Sequence, residues 1–315
     1  MKNVLVLGGT GFVGAHVCEK LVREGWHFTV PTRRWVNARP VLHLPGVRVV
    51  ELDVHDEAAL TQAVAGHTAV VNLVAILHGT QAAFEKAHVD LPQKLALACQ
   101  AAGVRQLVHV SALGANAEHP QSSPSMYLRS KGQGEAVLTK AAMGQPGFDL
   151  TLLRPSVIFG ADDKFLNVFA KLQKAFPVMP LAGADTRFQP VWVEDVACAV
   201  VRSLQGSLPP SPRVYELCGP DVFTLKELVQ VSAQLAGVRR GRGRPVLPLP
   251  RWLGRLQARL MELAPGEPVM SRDNLDSMQI DNVASGQLPG LASLGITASA
   301  LTAIARDYLA PQKRR

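Results

Sequence analysis

Apolar residues along the chain fall into short continuous runs separated by stretches with helical spacing. Lys2 to Leu7, Val47 to Leu52, Ala69 to Ala75 and Gln106 to Ser111 are rich in Val and Leu, and Trp26 to Val30 is aromatic and β-branched. Such runs form strands buried on both faces. Between them, Ala15 to Val22 and Phe84 to Ala102 repeat apolar positions at helical period, and Gly103 closes the second as a C-cap would. Strands alternating with helices in this rhythm predict the α/β class, a doubly wound parallel sheet of Rossmann type in the order 3-2-1-4-5-6. Residues 1–160 are expected to form that Rossmann-type domain. Residues 161–315 are expected to build mainly a smaller C-terminal substrate and docking lobe, with a segment about 188–204 returning to the first domain. In that lobe Val191 to Leu204 pairs an extended segment with a helix. Val214 to Leu217 followed by Thr224 to Leu228 repeats the pattern, with Thr224 and Glu227 spaced as a capping box.

Gly8-Gly9-Thr10-Gly11-Phe12-Val13-Gly14 stands directly between the first strand and the first helix. It satisfies G-x-G-x-x-G through Gly9, Gly11 and Gly14, and G-x-x-G-x-x-G through Gly8, Gly11 and Gly14. In that position the glycines allow a tight turn, close approach of a diphosphate and close packing of helix on sheet. The unpaired amides of the first helical turn then face the phosphates. After the second strand, where an acidic side chain would meet the ribose of NAD, stand Thr32, Arg33 and Arg34. A guanidinium fork suits a 2′-phosphate, so NADP(H) is favoured over NAD(H). Asp53 and Val54 end the third strand, where the Asp would meet the adenine edge or else cap the helix starting near Glu57. Leu73, Val74 and Ala75, closing the fourth strand, complete this side of the expected cofactor site.

Tyr127-Leu128-Arg129-Ser130-Lys131 lies on a helix expected from about Ser125 to Met143. The i, i+4 spacing puts phenol and ammonium on one face. A free phenol has a pKa of about 10, and a cation at about 4 Å in a medium of effective dielectric about 20 can lower it by one to three units. The pair therefore has the makings of a proton-transfer device.

Composition narrows the setting. The 315 residues are 47% hydrophobic, enough for a large core. The longest apolar stretch, Ala69 to Leu77, is too short to span a bilayer. The first strand begins at Lys2, so neither a secretory signal nor a spanning segment is expected, and the expectation is a cytoplasmic protein, peripheral at the inner face of the membrane if it docks there. Cys18, Cys99, Cys198 and Cys218 lack metal-ligand spacing, and no metal is expected; three of them sit in apolar runs as buried thiols of a reducing compartment. The net charge of +8 is concentrated in the arginines from Arg239 to Arg259. Arg251, Arg255 and Arg259 share a helical stripe beside Trp252, Leu253, Leu256 and Leu260, through to Met261. That pattern suits an anionic membrane surface or a protein partner, and it equally suits a helix packed on its own domain. No aromatic series accompanies the R-G-R-G-R run, which argues against nucleic acid.

These residues resemble the short-chain dehydrogenase/reductase superfamily, of the extended or atypical kind. The resemblance rests on Gly8 to Gly14, Asp53-Val54, His109 to Ala112, Tyr127-x-x-x-Lys131 and Leu153-Arg154-Pro155-Ser156-Val157-Ile158-Phe159-Gly160. More narrowly, Gly134-Glu135, Phe165-Leu166-Asn167, Gln189 to Val196, Ser271 to Asn274 and Asp281-Asn282-Val283 are similar to the nucleotide-binding accessory subunits of respiratory complex I and their bacterial relatives. The superfamily implies Tyr127 as general acid/base, Lys131 holding the nicotinamide ribose, a Ser orienting the substrate, and Pro155 to Val157 beside the nicotinamide. Ser111 takes the Ser place in one alignment, and Ala112 in the other. Two functions stay open: oxidoreductase, epimerase or dehydratase chemistry on an unidentified small molecule, or a non-catalytic nucleotide-binding module linked to a respiratory complex, quinone synthesis or the membrane surface.

Overall fold

The structure, a computed structural model, describes residues 2–206, 211, 213–263, 266 and 268–310. The chain divides into two compact units, Met1–Pro155 with Glu194–Leu217 and Gly286–Ile296, and Ser156–Val193 with Cys218–Ser285 and Thr297–Arg315.

In the first unit the apolar runs become β1 (Asn3–Leu7), β2 (His27–Thr32), β3 (Val47–Glu51), β4 (Ala69–Asn72), β5 (Gln106–Val110) and β6 (Asp149–Pro155). With Arg213–Leu217 they make, among the described residues, a seven-stranded sheet ordered β3-β2-β1-β4-β5-β6 and then Arg213–Leu217. All its pairings are parallel. The expected order therefore holds, with one further strand beside β6. Val4 to Leu7 are wholly buried, as a central strand covered on both faces must be. One correction concerns the fourth strand: β4 ends at Asn72, not Ala75. The Leu73 amide still bonds to the Leu7 carbonyl at 2.9 Å, and the Val74 amide donates instead to the Asn72 side chain at 3.2 Å, so the chain leaves the ladder from Val74 onward.

The long helix expected from Phe84 runs from Gln81 to Ala102 with a π-turn at Lys86–Asp90, and Gly103 ends it at φ +69°. The helix carrying Tyr127 spans Met126–Gly144, with the Ser125 hydroxyl accepting from the Leu128 amide. This helix lies hard against the π-turn, because a Cβ on Gly134 would fall 2.0 Å from the His88 carbonyl oxygen. Glu135, one residue on, is fully buried and accepts both arms of Arg154 on β6, at 2.9 and 2.5 Å. That bidentate pair locks the helix to β6, between β5 and Arg213–Leu217.

The second unit contains, among the described residues, three two-stranded pairs: Ile158–Phe159 with Val191–Trp192, Arg187–Phe188 with Phe223–Thr224, and Met179–Ala182 with Val246–Leu249. Its core gathers Phe159, Phe169, Leu181, Leu228 and Val229. Thr224 and Glu227 form the expected capping box. Asn282 ties distant segments of this unit together. Its side-chain oxygen accepts from the Ser156 hydroxyl at 2.6 Å and the Val157 amide at 3.0 Å, and its backbone bonds to Arg187 and Gln189.

Candidate functional site: the glycine turn and the strand ends

The glycine run forms a turn that only glycine can make. Gly8 has φ +79°, and a Cβ there would lie 3.0 Å from the Leu73 carbonyl carbon and 3.2 Å from the Val74 nitrogen. A Cβ on Gly14 would lie 2.2 Å from the Gly8 oxygen, so the first helix, Phe12–Arg23, sits directly on the end of β1. Gly11 is its N-cap and no side chain caps it. The amide ends of the first turn are thus left for a ligand, with the positive end of the helix dipole behind them. Thr10, Phe12 and Val13 are half-buried around this mouth, and Gly9 is buried. The group implied by such a turn, a dinucleotide diphosphate, fits the cradle: any added carbon would fill the space that the close backbone contacts define.

At the next strand ends, Thr32 is buried and its hydroxyl donates to the Arg34 carbonyl, while Arg33 and Arg34 are exposed. Asp53 is exposed and accepts from the His55 amide at 3.0 Å. It does not cap the following helix: Asp56 does, through the Ala59 amide. Asp53 and Arg33 both act electrostatically on His55, whose pKa is lowered first by burial. Val54, Leu73 and Val74 are half-buried, and Ala75 is exposed. Pro155 ends β6 and accepts from the Leu113 amide, whereas Val157 belongs to the second unit.

Tyr127 and Lys131 are held differently from each other. Lys131 is 1% exposed and its ammonium donates to the Val110 carbonyl at 3.1 Å. Burial lowers its pKa to about 8, against the opposing pull of Glu135. Tyr127 stands edge-on to His88 at 5.6 Å and to Phe84 at 6.2 Å. Burial raises its pKa above the ordinary value, the reverse of the lowering expected from a neighbouring ammonium.

Beneath the pair lies a buried polar network that the spacing of Tyr127 and Lys131 does not reveal. The Ile76 amide donates to His88 Nε2, so that nitrogen carries no proton, and His88 Nδ1–H donates to Ser130 Oγ. Ser130 in turn donates to the Tyr127 carbonyl. Burial and the Lys131 charge push the His88 pKa down to about 2. Asn72 donates to His109 Nδ1 at 3.1 Å, which puts the ring proton on Nε2. Among the described residues, that buried Nε2 and the buried Ser111 hydroxyl have no partner. Ser111 continues the ladder through its amide to Leu153, so its side chain shares the His109 face and Ala112 points the other way. The sequence does carry a signal for this network. Asn72 and His109 are polar interruptions of two apolar strands, and they stand opposite each other in register.

His16, Glu19 and Glu194 bring potential ligand atoms within 4.8 Å. Glu194 is already engaged by His16 at 2.5 Å and by Lys20 at 2.7 Å, which hold its carboxyl down to about 2. No described helix is long and apolar enough to cross a membrane.

Comparison with known proteins places this geometry in context. Residues 4–218 match the profile of the NAD dependent epimerase/dehydratase family. The mitochondrial NADH dehydrogenase (ubiquinone) 1 alpha subcomplex subunit 9 of Rattus norvegicus is 32% identical over 298 residues, 92% of this chain and 75% of that protein. Its Arabidopsis thaliana counterpart is 34% identical over 233 residues, 72% of this chain, and the match spans 56% of that relative's own length. Among solved structures, an NADPH-dependent quinone oxidoreductase from Escherichia coli, complexed with NADPH, superposes with a TM-score of 0.75 at 21% identity, covering 96% of this chain and 99% of that one. That likeness is one of fold.

Proposed function

The chain belongs to the NAD dependent epimerase/dehydratase family, and from that premise we propose that it is a pyridine-dinucleotide-binding accessory or assembly protein of a respiratory NADH dehydrogenase. The observation that carries this reading is the 32% identity to a complex I subunit across 92% of the chain. Gly8, Gly9, Thr10, Gly11, Phe12, Val13 and Gly14 hold the diphosphate. Asp53 and Val54 border the adenine, Leu73 to Ala75 line the turn, and Pro155 flanks the nicotinamide. Arg33 and Arg34, exposed at the end of β2 where no carboxylate stands, favour NADP(H).

In this reading Tyr127 and Lys131 act as ligands of the nicotinamide ribose. A phenol whose pKa is raised by burial holds its proton firmly, and the Lys131 ammonium is committed in part to Val110. A dinucleotide bound only by the folded chain stabilises it in proportion to occupancy, so it serves as structure without being consumed.

A second reading is favoured by one observation, the buried and unpartnered Ser111 hydroxyl near the Tyr127 helix. There the bound nicotinamide would supply hydride-transfer chemistry, Tyr127 would move the proton and Ser111 would orient the substrate oxygen. The deciding experiment incubates NADPH-loaded protein with quinones, carbonyl compounds and sugar nucleotides, and separately follows NADH dehydrogenase on native gels of membranes with and without the gene. Co-migration with the complex and no nucleotide oxidation supports the accessory role. Turnover abolished by Tyr127→Phe supports the enzyme.

A further inference from the structure

The helix Arg251–Glu262 packs on its own unit by its smallest residues. Gly254 and Ala258 are its buried positions, and a Cβ on Gly254 would meet that of Ala182 at 2.4 Å. Trp252 and Leu256 lie two residues either side of Gly254, and Leu256 and Leu260 two either side of Ala258. Two residues turn a helix by about 200°, so these three large side chains project from the side opposite the packed one. They are 68%, 50% and 62% exposed, and Leu263 just beyond the helix is 78% exposed. An amphipathic helix whose apolar stripe faces away from its own core has that stripe for something else.

Charge indicates what. Arg251, Arg255 and Arg259 run along one edge of the stripe, all exposed. Arg255 also reaches Asp276 at 3.1 Å, and the Glu262 carboxylate is bound by Arg272 at 2.8 Å, so these two acidic groups are already paired. The same unit exposes Arg239, Arg240 and Arg242. A tryptophan and leucines between a packed face and a cationic border is the arrangement of a helix lying in the plane of an anionic bilayer surface.

We propose that the exposed Trp252, Leu256 and Leu260 face of this helix inserts into the headgroup region of an anionic membrane, with Arg251 and Arg259 at the phosphates. The inference goes beyond nucleotide binding and does not depend on it, since the helix and its arginines are complete without the glycine turn. The partner is a lipid surface, and a protein surface is the alternative that the test must expose.

The test is flotation of the full chain with vesicles of phosphatidylcholine alone and of phosphatidylcholine with phosphatidylglycerol in equal parts. Binding is expected on the mixed vesicles only, and is lost as ionic strength rises towards about 1 M, where the screening length is about 3 Å. Arg251→Gln and Arg259→Gln should each weaken partitioning about fivefold, the equivalent of about 1 kcal/mol per arginine. Trp252→Ser with Leu256→Ser and Leu260→Ser should abolish it while leaving circular dichroism and nucleotide binding unchanged, because all three side chains are exposed. Absence of flotation by the wild-type chain, or equal flotation by the triple variant, overturns the proposal. So does a wild-type chain that self-associates through this face and ignores lipid, with the triple variant monomeric.

Discussion

Lys131 donates from Nζ to the carbonyl of Val110 at 3.1 Å, binding the central helix to the last residue of β5. The ammonium is thereby held at the carboxyl end of the sheet, the side on which doubly wound folds bind their ligands. What surrounds it has been arranged by close packing: Gly134 lets the helix touch the π-turn at His88, and Glu135 anchors it to Arg154.

Breaking that anchor should be costly. Glu135 is fully buried and the Arg154 side chain is 14% exposed, and removing the carboxylate leaves the guanidinium without its bidentate partner. Glu135→Ala is expected to lose about 3–5 kcal/mol in urea unfolding. Glu135→Leu combined with Arg154→Met should recover most of it. A loss below about 1 kcal/mol for the single variant would show that the pair does not hold the helix.

Gly14→Ala should damage turn and ligand binding together. The new Cβ would fall 2.2 Å from the Gly8 oxygen, and backbone cannot yield as a side-chain tip can. Overpacking of this kind costs about 1–3 kcal/mol, and the displaced first turn should bring calorimetric heat with NADPH to zero. Wild-type affinity in this variant would contradict the assignment of the cradle.

Coenzyme choice should reside in the exposed arginines after β2. Arg33→Ala or Arg34→Ala is expected to weaken NADPH about tenfold or more, the worth of a hydrogen bond between charged groups, while NADH changes little. Equal losses for both coenzymes, or tighter NADH binding by the wild-type chain, would remove the preference from these residues.

Acid should unfold the protein through its buried imidazoles. His88 is held neutral with its pKa lowered to about 2, and His109 is lowered well below its ordinary value. The unfolded chain binds protons at these rings from about pH 6.5 downward and the folded chain does not. The stability they contribute is therefore complete above about pH 6.5 and is lost as pH falls towards 2, at up to about 1.4 kcal/mol per pH unit for each ring. Urea midpoints for the wild type and for His88→Gln at pH 7 and pH 5 check this, with a shallower loss expected in the variant. An identical loss would mean that His88 does not carry the dependence.

The sheet was legible because its strands are covered on both faces and read as unbroken apolar runs, with the glycine turn marking where β1 ends. The end of β4 was misplaced because Asn72 looks like a blemish in an apolar run, when its side chain is what turns the chain away. Asp53 and Asp56 are both plausible caps by residue type, and only the fold shows Asp56 accepting from Ala59. Tyr127 and Lys131 could be found from spacing, but their electrostatics could not. The spacing brings a cation near a phenol, while burial raises the Tyr127 pKa and the rings against it, Phe84 and His88, are distant in sequence. The helix Arg251–Glu262 left two readings open from its pattern, and the burial of Gly254 and Ala258 separates the packed side from the exposed one.

The most direct measurement takes the nucleotide released on denaturing the purified protein, identifies it by mass spectrometry, and follows with calorimetric titration of the stripped chain. The expected result is NADP(H) released from the wild type, tight rebinding of NADPH, and neither in Gly14→Ala. No pyridine nucleotide in the released fraction and no heat with NAD or NADP in either redox state would contradict the account at its root.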